Sequence, residues 1–268
     1  NGMDVVRLNS AHASIEGAQK VVDNVRKVSD RIAILIDTKG PEIRLAAMDS
    51  SAGFVLRQGE RIDFINSTTV LCSREHLCTN CESFVKDVPT GAHILIDDGS
   101  ADLVVVDKND DRLVCEAQNT AVIKGRKSIN VPGVAIELPS LTDKDRMFIE
   151  WAIDADIEFV AHSFVRSRKD LAEIKEMISS KDSHLKIISK IENQQGIDNL
   201  EDILNDCYGV MIARGDLGVE IAAEHIEIAA HGGIKVIYVL RGEMQAEHGA
   251  IADESERQLL VTQDAAYA

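Results

Sequence analysis

The sequence predicts an α/β domain interrupted by an all-β insertion, and three observations predict it. Strand-length apolar runs alternate with helix-length amphipathic stretches over residues 4–37, and again from residue 139. Between about Leu45 and Leu138 the helical periodicity stops, and short strand-like pieces separated by Gly, Asn and Asp take over. Each apolar run of the α/β part ends in polar or charged residues at its carboxyl end.

Residues 4–9 read as a short buried strand. Over residues 11–29, Ile15, Ala18, Val21, Val22, Val25 and Val28 recur on one side, as a helix requires. Residues 31–37 form the next apolar strand, completing a βαβ unit. The rhythm changes after Asp37-Thr38-Lys39-Gly40-Pro41-Glu42-Ile43-Arg44. In the insertion, strands are expected at 53–56, 61–65, 93–96, 103–106, 112–116 and 121–123. Beyond Pro139, Thr142 and Asp145 resemble a capping pair ahead of a helix at 144–155. A strand at 158–164, a helix at 168–180, a strand at 185–189, a helix at 195–204 and a strand at 209–213 follow. In a (β/α) barrel the active site lies at the carboxyl ends of such strands; in an open doubly wound sheet it lies at a switch point. Spacing leaves both open. Residues 233–240 read as one more strand, and 247–258 as partly helical.

Two signatures close neighbouring strands: Lys190-Ile191-Glu192-Asn193 and Arg214-Gly215-Asp216. A lysine and two carboxylates there suit a hard cation with an anionic substrate. Mg²⁺ takes few protein carboxylates and leaves positions for substrate oxygens, and a lysine beside it stabilises developing negative charge. The plainer alternative is a set of charges at the mouth of a sheet.

The net charge of −16 and only 4% aromatic residues argue against nucleic acid as a partner. The longest apolar runs are too short to span a bilayer, and residues 1–4 carry no basic-then-apolar signal segment. Position 1 is not Met, which reads as a trimmed amino end. Five cysteines point to a reducing compartment, so the expected location is cytoplasmic.

With these stretches placed, the chain resembles the pyruvate kinase family. The segments that carry the resemblance, in order, are Arg7-Leu8-Asn9-Ser10-Ala11-His12, the DTKGPEIR run from Asp37 to Arg44, Ile96-Asp97-Asp98-Gly99, and Lys127-Ser128-Ile129-Asn130-Val131-Pro132-Gly133. Leu138-Pro139-Ser140-Leu141-Thr142-Asp143-Lys144-Asp145, Ser163-Phe164-Val165-Arg166, Ser189 to Asn193 and the IARGDLGVE run from Ile212 follow. The resemblance covers roughly residues 1–224. It implies a (β/α)8-type (TIM) barrel, incomplete in this chain, with an inserted all-β lid domain. The implied domains are 1–44 and 139–224 for the barrel and 45–138 for the lid, with 225–268 an unassigned tail that could be a remnant of a C-terminal domain. The first barrel strand is expected before Asn1. The last two strands, with the threonine that assists enolate protonation, are not recognised after Glu224. A joined set of ordered pieces, a fragment and a shortened homologue stay open as explanations.

The implied activity is phosphoryl transfer from phosphoenolpyruvate to ADP, giving pyruvate and ATP in glycolysis. The implied cofactors are Mg²⁺ and K⁺, and the implied assembly is a homotetramer. Residue by residue, the resemblance makes Glu192 and Asp216 the Mg²⁺ ligands and Lys190 the lysine on the transferring phosphoryl group. It places Arg44 and Arg7 at the phosphate and nucleotide side, where planar guanidinium forks suit multi-oxygen anions. It gives Ala213, Arg214 and Gly215 a backbone clamp on the substrate carboxylate, and makes Lys127 a nucleotide contact. Asp98 and Ser163 become substrate contacts. Asn9, Asp37 and Thr38 match K⁺ ligands, but Ala11 stands where the family has a serine ligand, so a weakened K⁺ site is expected. Two rivals remain: an inactive relative that binds metal and anion, and a Mg²⁺-dependent lyase of the phosphoenolpyruvate/pyruvate group.

Cys72, His76, Cys78 and Cys81 hold possible soft ligands within ten residues. Zinc favours such ligands, although reduced loop thiols are the simpler reading. Cys115 and Cys207 read as packing thiols, His162 as structural and Trp151 as core. No P-loop or dinucleotide fingerprint appears.

Overall fold

A computed structural model describes residues 3–213 and 217–219, and the backbone of 236–238. In chain order the first elements are β1 (Val5–Asn9), α1 (Ile15–Val28) and β2 (Ala33–Asp37). Then come β3 (Phe54–Leu56), β4 (Arg61–Ile65), β5 (His76–Leu77), α2 (Phe84–Asp87), β6 (His93–Ile96), β7 (Ala101–Lys108), β8 (Arg112–Ala117), β9 (Ala121–Ile123) and β10 (Ile129–Asn130). They are followed by α3 (Asp143–Asp154), β11 (Phe159–His162), a 3-10 turn (Arg168–Leu171), α4 (Ala172–Ser180), β12 (Lys186–Ile191), α5 (Gln194–Asp198), α6 (Leu200–Leu204), β13 (Gly209–Ile212) and β14 (Val236–Tyr238). The chain forms two compact units. One is built from residues up to Gly40 with Ser140–Leu217, the other from Pro41–Pro139.

In the first unit, six strands lie in the order β1-β2-β11-β12-β13-β14, every neighbouring pair parallel. Strands covered on both faces read as unbroken apolar runs, and Ile34-Leu35-Ile36 and Val210-Met211-Ile212 are such runs, all buried. Val5, Leu35, Ala161, Ile188 and Met211, one from each of five successive strands, pack into a single layer. The helices start on side-chain caps. Ser14 Oγ accepts from the Gly17 N–H at 3.1 Å. At α3 both bonds of the Thr142/Asp145 capping box are present, so the shorter Asp serves in place of Glu.

The second unit has a six-stranded sheet, β10-β6-β7-β8-β4-β5, and a separate β3-β9 pair. Its core gathers Phe64, Leu77, Phe84, Ile94, Leu103 and Leu113. The Phe64 and Phe84 rings tilt together at 5.4 Å. Between β6 and β7, Asp98 and Gly99 take positive φ (55° and 84°) at the centre of a turn closed by Ser100 N–H on the Asp97 carbonyl. This is the left-handed turn that a tight hairpin demands.

Several expectations need correcting. The strand expected at 185–189 runs on to Ile191, so Lys190 lies inside β12. The helix expected at 195–204 is two short ones broken at Asn199, whose side-chain amide donates to the carbonyls of Arg166 and Gln195. The strand expected to reach Phe164 stops at His162, and Phe164 turns out at φ 57°. On α1 only Ala18 and Val22 are buried, while Val28 is exposed. Trp151 is half-buried rather than core, because its indole N–H reaches Gln19 Oε1 at 2.8 Å. Within the strand expected at 233–240, Val236–Tyr238 is a strand, and it pairs parallel with β13 as part of the same sheet, a place the sequence reading had not assigned to it. The expected helix at 247–258 lies outside the described residues.

Candidate active site

The parallel register sets the carboxyl ends of β1, β2, β11 and β12 side by side, with Asn9 opposite Asp37, Asp37 opposite Ala161, and His162 opposite Ser189. Four charged side chains meet there. Lys190 Nζ lies 2.8 Å from Glu192 Oε1 and 3.2 Å from Asp37 Oδ1. Arg7 Nε donates to Asp37 Oδ2 at 2.8 Å, and its Nη2 reaches the same oxygen. Two cations therefore balance two carboxylates. Asp37, Lys190 and Glu192 are buried, and buried charges persist only when paired and hydrogen-bonded.

The remaining partners are supplied by hydroxyls and backbone. Lys190 donates to Ser163 Oγ at 2.8 Å, and that hydroxyl donates to the Thr38 carbonyl at 2.6 Å. The Ser163 N–H donates to Thr38 Oγ1 at 3.0 Å, and the Phe164 N–H to Glu192 Oε2 at 2.7 Å. Burial works against the Lys190 ammonium, but Glu192 and then Asp37 outweigh it and hold the group above the ordinary lysine range. His162 lies behind Thr38, with Nδ1 at 3.5 Å from Thr38 Oγ1. Burial pushes its imidazole down to about 4, with Lys190 and Arg166 adding to the effect and Asp170 and Asp145 opposing it.

Of the residues singled out in the sequence, this cluster joins Lys190, Glu192, Asp37, Thr38, Ser163 and Arg7. Asn9 is exposed, and its Oδ1 accepts from the Ala11 N–H at 2.9 Å. Ser10 is buried, with a hydroxyl that finds no hydrogen-bond partner among the described residues. The Ala213 N–H donates to the Ile191 carbonyl at 3.4 Å. Arg214, Gly215 and Asp216 lie outside the described residues.

The other three belong to the second unit. Arg44 donates from Nε to Glu42 Oε2 and from Nη1 to the Arg126 carbonyl, both at 2.8 Å. Lys127 pairs with Asp97 at 3.0 Å. Asp98 Oδ1 accepts from Ser128 Oγ at 3.1 Å. Sequence reading saw Asp145 only as a helix cap and did not anticipate that it also holds the Lys39 and Gly40 amides. The capping motif was the available signal.

The donor set fits Mg²⁺ in kind. Glu192 offers a carboxylate oriented by the Phe164 amide, and the Lys190 ammonium lies beside it. Among the described residues, no three His, Cys, Asp or Glu side chains converge to hold a metal ion, but Mg²⁺ is held through one or two carboxylates plus substrate oxygens. Cys72 and Cys78 approach with sulfurs 3.8 Å apart, yet among the described residues no metal-holding group forms around them. Cys115 is buried as expected, and Cys207 is partly buried.

Residues 1–240 match the family described as pyruvate kinase, barrel domain. The match runs past residue 224 and takes in the strand at Val236–Tyr238. A pyruvate kinase of Borreliella burgdorferi is 49% identical over 229 residues, which is 85% of this chain and 47% of that protein. One from Geobacillus stearothermophilus is 42% identical over 234 residues, 85% of this chain and 40% of that protein. The crystal structure of a pyruvate kinase from Cryptosporidium parvum superposes with a TM-score of 0.84 at 33% identity, covering 90% of this chain and 53% of the other. The chain spans about half the length of the relatives it matches. The parallel sheet of the first unit is accordingly an incomplete (β/α)8-type barrel.

Proposed function

The chain belongs to the pyruvate kinase family, and we propose that it carries the phosphoenolpyruvate-binding and metal-binding part of an enzyme that transfers a phosphoryl group to ADP, releasing pyruvate and ATP. The observation that carries the reading is the buried, charge-balanced cluster of Lys190, Glu192, Asp37 and Arg7, with Ser163 on the lysine. Phosphoryl transfer asks a protein mainly for positioning and charge neutralisation, and this cluster is built for both.

Glu192, with Asp216 as the second carboxylate, would hold Mg²⁺, whose chemistry here is neutralisation of substrate oxygens. Lys190 stabilises the charge that develops on the transferring group and the enolate oxygen. Ser163 and Asp37 fix the direction in which that ammonium points. Arg7 and Arg44 would serve the phosphate and nucleotide side, Arg44 as a catalytic group, with Lys127 a nucleotide contact and Asp98 a substrate contact. The backbone of Ala213, Arg214 and Gly215 would hold the substrate carboxylate. Asn9, Asp37 and Thr38 would hold K⁺. A cytoplasmic, tetrameric setting completes the proposal. For the described residues, no helix is long and apolar enough to cross a membrane.

The test is pyruvate formation from phosphoenolpyruvate, ADP and Mg²⁺, read through a coupled reporter, in the parent chain, Lys190→Met and Glu192→Gln. Activity in the parent that disappears in both variants supports the reading. Mg²⁺-dependent phosphoenolpyruvate binding without any pyruvate would instead favour the inactive-relative reading.

A further inference from the structure

We propose that Asp145, apart from capping α3, is a positioning residue that holds the site's loops in register. Its carboxylate is fully buried and accepts from four groups. Oδ1 takes the Lys39 N–H at 2.9 Å, and Oδ2 takes the Gly40 N–H at 3.2 Å. Oδ2 also takes the Thr142 N–H at 3.1 Å and the Thr142 hydroxyl at 2.6 Å. A helix cap alone needs only the Thr142 pair. The Lys39 and Gly40 bonds reach across more than a hundred residues to the loop that leaves β2 directly after Asp37 and Thr38.

That loop in turn sets the metal-binding carboxylate. Gly40 has φ +71°, and a Cβ there would come within 2.8 Å of Phe164 Cδ2 and 2.9 Å of Ser163 Cβ. The bare backbone of Gly40 thus lies flat on Ser163 and Phe164. Phe164, itself at φ 57°, donates its N–H to Glu192 Oε2, and Ser163 receives the Lys190 ammonium. Asp145 holds Gly40, Gly40 backs Phe164, and Phe164 orients Glu192. Next to Asp145, Lys144 donates to the Ala11 carbonyl at 2.9 Å, so the first turn of α3 grips the loops leaving both β1 and β2. Groups that orient a metal ligand affect binding without touching the metal.

This inference rests on the proposed metal role of Glu192. It is tested by comparing Asp145→Asn with Thr142→Ala in the same chain. The side-chain amide that Asp145→Asn introduces would set donor against donor at one of the two loop N–H groups. Thr142→Ala removes the capping hydroxyl and leaves the loop bonds intact. Amide hydrogen exchange at Gly40 and Phe164 is expected to speed up in Asp145→Asn and stay at parent rates in Thr142→Ala. Mn²⁺ affinity, read by electron paramagnetic resonance with phosphoenolpyruvate present, is expected to fall about 10-fold or more in Asp145→Asn only. Melting temperature reports the cap, which both variants disturb. Parent-like exchange at Gly40 and Phe164 in Asp145→Asn, or the same exchange and Mn²⁺ changes in Thr142→Ala, overturns the proposal. If Asp145→Asn does not fold, Asp145→Glu supplies the comparison, keeping the charge but displacing it by one methylene. A parent chain that binds no Mn²⁺ counts against the functional reading, while the exchange data still decide whether Asp145 positions the loop.

Discussion

Lys190 Nζ stands 2.8 Å from Glu192 Oε1, two residues further along the same chain segment. Lys190 lies inside β12 and Glu192 just past its end, and both side chains reach one point beside Asp37. Removing one member of a buried, balanced set leaves the others uncompensated, typically at about 3–5 kcal/mol. Lys190→Met is therefore expected to lower the unfolding free energy by roughly that amount. The catalytic loss should be about 100-fold or greater, as for removal of a main charge-stabilising donor. The double variant Lys190→Met/Glu192→Gln should recover part of the stability and none of the activity, since the two sites couple. Urea unfolding and the coupled assay on all three proteins measure this.

His162 links the site to pH. Its folded-state value of about 4 lies below the ordinary histidine value. The unfolded chain therefore takes up a proton first as pH falls. The stabilisation from a neutral, buried His162 is complete above about pH 6.5 and is lost as pH drops from there towards 4; the shift corresponds to about 3 kcal/mol. His162→Leu should flatten the pH dependence of unfolding free energy across that window by a large part of this amount. Equal slopes in parent and variant would contradict the assignment.

What was legible in the sequence follows from range of interaction. The parallel strands were visible because burial on both faces demands continuous apolar runs such as Ile34-Leu35-Ile36. The two-residue strands β5 and β10 and the four-residue helix α2 are too short to show a period and were not foreseen. Lys190 and Glu192 were legible because a lysine and a carboxylate close together at the carboxyl end of an apolar run form a local signature. The Arg7–Asp37 pair was not, because it needs the β1–β2 register, which places Arg7 opposite Leu35 and Asp37 two residues further along. Asp145 was read for its local partner, Thr142, and its distant ones stayed hidden. Phe164 and Asn199 break their elements through tertiary hydrogen bonds that no local propensity encodes.

The cysteines of the second unit carry a separate expectation. Burial pushes the Cys78 thiol up to about 12, with Cys72 adding to the shift, and burial does the same at Cys115, with Asp63 contributing. The thiolate is the reactive form. Cys78 and Cys115 should therefore resist a disulfide reagent at pH 8 until denaturant is added, as should Cys72 through burial alone, whereas the half-buried Cys81 should react first. Protein purified without added metal should contain zinc far below one equivalent. Rapid native labelling of Cys78, or stoichiometric zinc, would reverse this account of the cluster.

The proposed monovalent-ion site is where the resemblance leads us to expect a departure from the family pattern, at Ala11. Asp37 already serves Arg7 and Lys190. Asn9 Oδ1 accepts from the Ala11 N–H, and the Thr38 carbonyl accepts from Ser163 Oγ. A K⁺ ion must recover, from such oxygens, the hydration it gives up, and Ala11 supplies no side-chain oxygen. Ala11→Ser restores an oxygen beside Asn9 at a partly exposed position, where a hydroxyl fits at little cost. Its expected effect is a lower K⁺ concentration for half-maximal activation, with the Mg²⁺ requirement unchanged. Titrating KCl against tetramethylammonium chloride at constant ionic strength, in parent and variant, measures it. Identical K⁺ curves would mean that Asn9, Asp37 and Thr38 do not form the ion's site in this chain.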